Sequence, residues 1–263
     1  MIRLIASDLD GTLLLPGGVL PEETFPLIEK LHEKGILFCV ASGRQYESLL
    51  RLFAPVRDKV LFIAENGALV YYRGENLFCT PLPSSAVPDV LRAVRGIEGA
   101  CPLVCCALGA YAEDTLPSFL SECTRYYPLF RRVERLEGQT FSNVCKIAVY
   151  NENGSASAGD ALAALLPDLR VTVSGKVWTD VSLKEVNKGN ALSAVLRLFS
   201  LKKEECMAFG DYMNDYEMLL VCGQAFVTEN GYPPLIEKIG RTVPANTQKG
   251  VLQKIRELIG EQK

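Results

Sequence analysis

The chain alternates short apolar runs with helical segments, and each run ends in small polar residues. IRLIAS, ILFCVA and VLFIA are nearly continuous apolar runs, and the stretches between them carry the apolar spacing of helices. Such runs are typical of strands that are buried on both faces of a parallel sheet, whose connections are crossover helices. The N-terminal part therefore predicts βαβαβ, the start of a doubly wound α/β sheet.

The C-terminal part repeats this pattern. The apolar runs of ECMAFGD and QAFVTENG alternate with the helical segments KGNALSAVLRLFSL, NDYEMLLVCG, PPLIEKIG and GVLQKIRELIG. Because both ends alternate apolar runs with helical segments, we expect them to be halves of a single Rossmann-like sheet. Residues 1–81 and 185–263 are the predicted core.

The middle of the chain reads as a mixture of strands and helices without the βα alternation. LVYYRGENLFCTPLP is predicted to form a hairpin, and after it come predicted helices such as SSAVPDVLRAVRG and strands such as CPLVCCAL and NVCKIAVY. A chain of 263 residues has room for two modest domains. We therefore expect residues 82–184 to be an inserted α+β domain, a cap on the core.

Composition limits the partners. The 28 Lys+Arg against 31 Asp+Glu give a net charge of −3, which provides no field to hold a polyanion, so nucleic acid is not expected as a partner. Asp8 and Asp10 lie where a secretory signal needs apolar residues, and no run is long enough to span a membrane. We expect a cytoplasmic protein with no membrane partner, a monomer or weak homodimer.

The nine cysteines are predicted to be buried and reduced. Their number is odd, no C-x-x-C occurs, and several lie in apolar runs. Zinc is disfavoured because His32 is the only histidine, and it lies in a helical stretch.

Candidate chemistry begins at the end of the first predicted strand, with the motif Asp8-Leu9-Asp10-Gly11-Thr12. Open α/β sheets bind ligands at the carboxyl ends of their strands. If the strand geometry continues, the side chains of Asp8 and Asp10 project to the same side, where two carboxylates require a proton or a cation. The motif also fits a plain acidic turn.

Two further strand ends add polar groups. Ser42-Gly43-Arg44 follows the second strand and offers a hydroxyl and a backbone N–H to a phosphate, although it also fits an ordinary loop. Asp211, Asn214 and Asp215 follow the strand MAF, and such hard oxygen groups suit Mg²⁺ better than zinc or copper, although Asn214 or Asp215 could equally cap the next helix.

A cation is needed wherever carboxylates approach a phosphate. Lys188 opens a predicted helix, whose N-terminus adds positive potential. Lys146, Lys176 and Lys184 are competing candidates, and Lys188 also fits a solvated position in a first helical turn.

These motifs, taken together and in order, resemble those of the haloacid dehalogenase superfamily of phosphatases, in its Cof-type branch with a large α/β cap. The resemblance covers essentially the whole chain. The segments that carry it are DLDGTLL at 8–14, ASGR at 41–44, ENGA at 65–68, VNKGNAL at 186–192 and GDYMNDYEML at 210–219.

The resemblance implies a role for each site residue. Asp8 is the expected nucleophile, Asp10 the general acid and base, and Lys188 the group that neutralises charge. The phosphate or substrate contacts that it implies come from Leu9, Ser42, Gly43, Arg44, Lys188 and Asn214. The Mg²⁺ site that it implies consists of Asp8, Asp10 through its backbone carbonyl, Asp211 and Asp215.

The expected reaction is hydrolysis of a phosphate monoester of a small metabolite, such as a sugar phosphate or a phosphorylated cofactor, through an aspartyl-phosphate. The cap is expected to read the organic part of the substrate. One departure is the segment Val227-Thr228-Glu229-Asn230-Gly231, where the family commonly shows a Met-Gly-Asn-Ala-like stretch. The alternatives are a phosphotransferase or sugar-phosphate mutase of the same superfamily, a receiver-like signalling module and a non-catalytic phosphate-binding protein.

Overall fold

The computed structural model describes residues 1–113 and 115–260. They form a mixed α/β fold that divides into two compact units. The first unit comprises Met1–Ser42, Leu49–Leu77 and Asn187–Lys263, and the second comprises Gly43–Ser48 and Phe78–Val186. The predicted insertion at 82–184 lies inside the second unit, which also takes in the short segment after Ser42.

The strands, in chain order, are β1 (Leu4–Ser7), β2 (Leu37–Ala41), β3 (Val60–Ala64), β4 (Leu69–Tyr72), β5 (Glu75–Cys79), β6 (Ala100–Cys106), β7 (Gly109–Glu113), β8 (Phe130–Val133), β9 (Val144–Asn151), β10 (Leu169–Val173), β11 (Trp178–Leu183), β12 (Cys206–Gly210), β13 (Gln224–Thr228) and β14 (Thr242–Val243). The α-helices are α1 (Thr24–Glu33), α2 (Tyr46–Leu52), α3 (Val87–Arg95), α4 (Pro117–Tyr126), α5 (Ser155–Leu165), α6 (Lys188–Leu198), α7 (Tyr216–Leu220), α8 (Pro233–Ile239) and α9 (Gly250–Ile259).

The sheet of the first unit has the order β14-β13-β12-β1-β2-β3-β4-β5. Strands β14 to β3 in this order pair in parallel, and β4 turns back antiparallel to β3. The chain runs outward from β1 through β2 and β3, and later returns to the other side of β1 as β12. The strand order therefore reverses at β1, and this is the point where doubly wound sheets bind ligands.

Three central strands are buried along their whole length because helices cover both faces of a parallel sheet. Every residue of β1, β3 and β12 is buried, which explains why these segments read as continuous apolar runs. The predicted doubly wound fold is confirmed.

The second unit has its own sheet, in the order β10-β11-β9-β6-β7-β8. Alternate residues of β6 enter two separate clusters: Val104 packs with α3 and α5, whereas Cys105 packs with α4. A sheet covered on both faces has no polar face, and this accounts for the unbroken run CPLVCC.

Three elements differ from the predictions. The short strands β7 and β14 were not predicted, and α7 begins only at Tyr216 because Met213–Asp215 form a 3₁₀ turn. The predicted hairpin exists, and its strands β4 and β5 extend the sheet of the first unit.

All nine cysteines are free thiols, and eight of them are buried, as predicted. Within the described residues, no helix combines the length and the apolar character that a membrane crossing requires.

Candidate active site

The loop that follows β1 turns sharply at the reversal point of the sheet. The backbone of Asp8 is still extended and the residue is only 6% exposed, whereas Asp10, two residues later, is exposed. The backbone N–H of Leu14 donates to the carbonyl of Leu9 at 2.8 Å, which closes the turn. The loop thus separates a buried carboxylate at position 8 from an exposed one at position 10.

Gly11 makes this turn possible. Its φ of +82° is a conformation that L side chains rarely adopt. A Cβ at this position would overlap the Asp211 carboxylate, whose Cγ would be only 2.7 Å away. The neighbouring Thr12 donates its hydroxyl to Asp211 Oδ1 at 3.3 Å. The loops after β1 and β12 therefore pack directly against each other at the site.

Lys188 is buried between two carboxylates. Its ammonium donates to Asp8 Oδ1 at 2.5 Å and to Asp215 Oδ1 at 2.6 Å, and the residue is 1% exposed. Helix α6 begins at Lys188, and the Asn187 side chain caps it by accepting from the backbone N–H of Asn190 at 2.7 Å. The cap fixes the first helical turn and with it the direction from which Lys188 enters the site.

Asp215 organises the loop after β12. Its Oδ2 accepts from the backbone N–H groups of Asp211 at 3.0 Å and Tyr212 at 3.3 Å, while its Oδ1 takes the bond from Lys188. Asp215 is fully buried. It therefore fixes the backbone beneath Asp211 and the ammonium beside Asp8 at the same time.

The other predicted residues of the first unit lie at neighbouring strand ends. Ser42 is buried, and its backbone donates to Ile63 and accepts from Asn66 at 2.9 and 3.0 Å. Asn214 donates to the side-chain oxygen of Asn66 at 3.5 Å. Leu9 is fully buried, so only its backbone can face a ligand.

Gly43 and Arg44 belong to the second unit. The Gly43 carbonyl accepts from Lys146 at 3.0 Å, and Lys146 also pairs with Asp180 at 3.0 Å. Arg44 is half-buried. Lys146 thus has its own buried carboxylate partner within this unit.

Of the four lysine candidates, Lys188 is the one that contacts the site carboxylates. Lys176 and Lys184 are exposed residues of the second unit. The contacts therefore single out Lys188 among the four lysines, and its neutralising role stays a prediction.

The acidic groups repel one another in this buried setting. Burial raises the pKa of Asp8 well above its ordinary value; Lys188 opposes the shift, and Asp215 and Asp211 add to it. Burial, and then Asp215, raise the pKa of Asp211 to about 7. Although burial works against its charge, the Asp215 and Asp8 carboxylates raise the pKa of Lys188. One ammonium does not balance the negative charge of the cluster.

This charge pattern fits a divalent cation. Asp8, Asp211 and Asp215 each place a carboxylate oxygen within 4.8 Å of the other two, and the set can hold a metal ion. Carboxylate oxygens are the ligands that Mg²⁺ takes in proteins. Among the described residues the Asp10 carboxylate is not part of this cluster, and a metal contact from the Asp10 backbone carbonyl stays a prediction.

Sequence reasoning missed several groups that shape the site. Asn66 contacts both Ser42 and Asn214, and its φ of +56° marks a strained turn. Asn66 lies in the segment ENGA at 65–68 that resembles the family, but nothing in the sequence pattern assigned its side chain a role. Asn230 and Asn246 donate to the Gly11 and Leu14 carbonyls of the loop after β1. They were missed because single hydrogen-bonding residues in loops leave no periodic signal.

The fold and this site agree with comparisons to known proteins. A family model described as haloacid dehalogenase-like hydrolase matches residues 5–255. The chain belongs to the haloacid dehalogenase-like hydrolase family. The predicted resemblance is thereby confirmed.

Two relatives of this family illustrate the similarity. The chain is 27% identical over 265 residues to the 5-amino-6-(5-phospho-D-ribitylamino)uracil phosphatase YbjI of Escherichia coli, covering 98% of this chain and 96% of the relative. It is 31% identical over 247 residues to the HMP-PP phosphatase of Serratia proteamaculans, covering 89% of this chain and 86% of the relative. The names of these haloacid dehalogenase-like relatives confirm the predicted enzyme class, that of the phosphatases.

Two solved structures share the fold. A protein of Streptococcus mutans superposes with a TM-score of 0.91 at 23% identity, covering 99% of this chain and all of the other. A haloacid dehalogenase-like hydrolase of B. subtilis gives 0.86 at 20% identity, covering 98% of this chain and all of the other.

The buried ammonium yields the first prediction. Lys188→Ala leaves the Asp8 and Asp215 carboxylates without their cation, so we expect turnover and vanadate affinity to fall sharply. Loss of one partner of a buried pair also destabilises the fold by about 3–5 kcal/mol. Lys184→Ala is the control, since Lys184 is exposed. Steady-state kinetics, vanadate inhibition and thermal melting measure these effects, and a larger loss in Lys184→Ala would contradict the assignment.

Gly11 yields the second prediction, for which Gly17 is a matched control. Both glycines have φ near +82°, but a Cβ at Gly17 meets nothing within 4 Å. Gly17→Ala therefore carries only the backbone cost, about 1–2 kcal/mol. Gly11→Ala adds the collision with Asp211, so we expect it to lose activity and stability well beyond Gly17→Ala. Equal melting temperatures and equal activities of the two variants would show that the loops do not pack as described.

The raised pKa of Asp211 yields the third prediction. A metal needs the ionised carboxylate, so protons compete with it as the pH falls through about 7. We expect Mg²⁺ to raise the melting temperature more at pH 8 than at pH 6, with affinity falling up to about tenfold per pH unit in this window. Asp211→Asn should remove most of the shift at both pH values. A shift that is the same at pH 6 and pH 8 in the unmodified protein would contradict the prediction.

Proposed function

We propose that the protein is a Mg²⁺-dependent phosphatase that hydrolyses phosphate monoesters of small metabolites through a covalent phosphate on Asp8. The observation that carries the proposal is the buried Asp8–Lys188–Asp215 cluster beside Asp211, at the reversal point of the sheet. The cluster offers a carboxylate nucleophile, a fixed positive charge and an acidic metal site in one place.

Asp8 is the nucleophile in this proposal. The bond from Lys188 to its Oδ1 fixes the carboxylate and leaves Oδ2 without that ammonium contact. Attack of a carboxylate on a phosphate brings like charges together, and the Lys188 ammonium offsets this repulsion. A Mg²⁺ ion held by Asp8, Asp211 and Asp215 would supply further positive charge at the site.

Asp10 serves as the general acid and then as the general base. In the first step it gives a proton to the leaving alkoxide, and in the second it removes one from the attacking water. Its exposure at the loop lets it regain and release protons. A carboxyl buried like that of Asp8 would be a poorer choice for this exchange.

The phosphate contacts come from backbone and side-chain donors. Within the first unit we assign them to the backbone of Leu9, the hydroxyl of Ser42 and the side chain of Asn214. Contacts from the Gly43 N–H and the Arg44 side chain stay predictions of the family resemblance. Ser42 and Asn214 are supported by their shared link to Asn66.

The substrate class follows from the relatives. One is named as a phosphatase of a phosphoribitylamino-uracil and another as a phosphatase of HMP-PP. We infer that this chain acts on small phosphorylated metabolites, among them sugar phosphates or phosphorylated cofactors. In this proposal, residues 82–184 form a cap that determines which metabolite is preferred.

A screen of phosphorylated metabolites, scored by Mg²⁺-dependent phosphate release, tests the function. For a substrate so found, Asp8→Asn removes the nucleophile while keeping its shape, so we expect less than about a tenth of the kcat to remain, a cost above ~1.4 kcal/mol. Asp58→Asn, on the surface, is the control. Phosphate release that survives in Asp8→Asn, or an isomerised product without free phosphate, would contradict the proposal.

A further inference from the structure

A second set of hydrogen bonds holds the loop after β1, on residues outside the predicted site. The carbonyl of Gly11 accepts from the Asn230 side chain at 2.8 Å and from the Thr228 hydroxyl at 3.2 Å. The carbonyl of Leu14 accepts from the Asn246 side chain at 2.7 Å. These two carbonyls are therefore tied to the end of β13 and to the segments that follow β13 and β14.

The two asparagines are also tied to each other. The backbone N–H of Asn246 donates to Asn230 Oδ1 at 2.8 Å, and Asn246 Oδ1 accepts from the N–H of Thr247 at 2.9 Å. Each amide thus donates through its nitrogen and accepts through its oxygen. Rotating either amide would set donor against donor and acceptor against acceptor, so the chain defines one orientation for each.

The anchored carbonyl lies between two groups of the site. The Gly11 peptide follows Asp10 directly and precedes Thr12, whose hydroxyl bonds to Asp211. Gly11 has the least restricted backbone of any residue type, so its own conformation does not fix this peptide plane. Donors from Asn230 and Thr228 restrict the plane from outside, and with it the placement of Asp10.

We propose that Asn230 and Asn246 are positioning residues that hold the loop after β1 in the shape that aims Asp10 at the leaving group. They act through the Gly11 and Leu14 carbonyls and touch neither phosphate nor metal. The inference rests on the proposed acid and base role of Asp10. It gives the segment Val227–Gly231 a function in this chain.

The leaving group separates positioning from mere folding. A nitrophenyl oxygen leaves with little help from an acid, whereas an alkyl oxygen needs protonation. A misplaced Asp10 therefore slows alkyl phosphates more than nitrophenyl phosphate, while a partly unfolded sample loses both rates equally. Asp10→Asn shows how the rates on the two substrates change when the general acid is lost completely.

The experiment compares kcat and KM of Asn230→Ala, Asn246→Ala and the double variant on nitrophenyl phosphate and glycerol phosphate. We expect kcat on glycerol phosphate to fall by about tenfold to a hundredfold, with a much smaller fall on nitrophenyl phosphate. KM should change little, and the double variant should lose less than the product of the single losses. Glu229→Ala, exposed and adjacent, should match the unmodified protein.

Asn230→Asp separates the two bonds of this residue. It keeps the acceptor for the Asn246 N–H but loses the donor to the Gly11 carbonyl, so we expect it to be as impaired as Asn230→Ala. Hydrogen exchange of the peptide that spans Gly11 to Leu14 gives a readout without substrate, and we expect faster exchange in Asn230→Ala.

Equal losses on both substrates, or unchanged exchange in this peptide, would overturn the inference. If the unmodified protein hydrolyses neither substrate nor any metabolite of the screen, the proposed function fails instead. The exchange result still decides whether the asparagines hold the loop.

Discussion

The contact between the Lys188 ammonium and the carboxylates of Asp8 and Asp215 is the interaction on which the site depends. It joins positions 180 and 27 residues apart in the chain, so it forms only when both halves of the sheet are in place. A buried charge of either sign is costly without its partner, whereas here one cation serves two anions. The site is therefore complete only when the two halves of the sheet have come together.

The sheet supplies the rest of the geometry. Because β1 lies between β2 and β12, the loops that follow these strands meet at one edge. A carboxylate after β1 and a second acidic loop after β12 then come together, and the positive φ of Gly11 lets the two loops pack closely. The chemistry is carried by strand ends, and the helices and apolar strands keep those ends in register.

The sequence was sufficient for the doubly wound sheet and for most of its elements. Strands buried on both faces leave long apolar runs, and their ends are visible as sudden polar residues. Strands β7 and β14 escaped prediction because one carries small residues and the other has only two. Their pairing depends on neighbouring strands and not on local pattern.

The site shows the same division. Asp8, Asp10 and Asp211 stand out because acidic residues directly follow apolar strands. Spacing alone did not choose Lys188 over Lys146. In the structure both lysines are buried and pair with carboxylates, and one partner of Lys188 is Asp8, whereas that of Lys146 is Asp180. Side-chain networks such as that of Asn230 and Asn246 depend on three-dimensional proximity across more than 200 residues of chain, and no local sequence pattern encodes it.

The central claim is that phosphate passes through Asp8. Acid quenching of the protein during turnover of a phosphate-labelled substrate, followed by peptide mapping, tests it most directly. The account predicts label on the peptide that contains Asp8, sensitive to hydroxylamine and absent from Asp8→Asn. Label on another residue, or full turnover with no label on the protein at any time point, would contradict it.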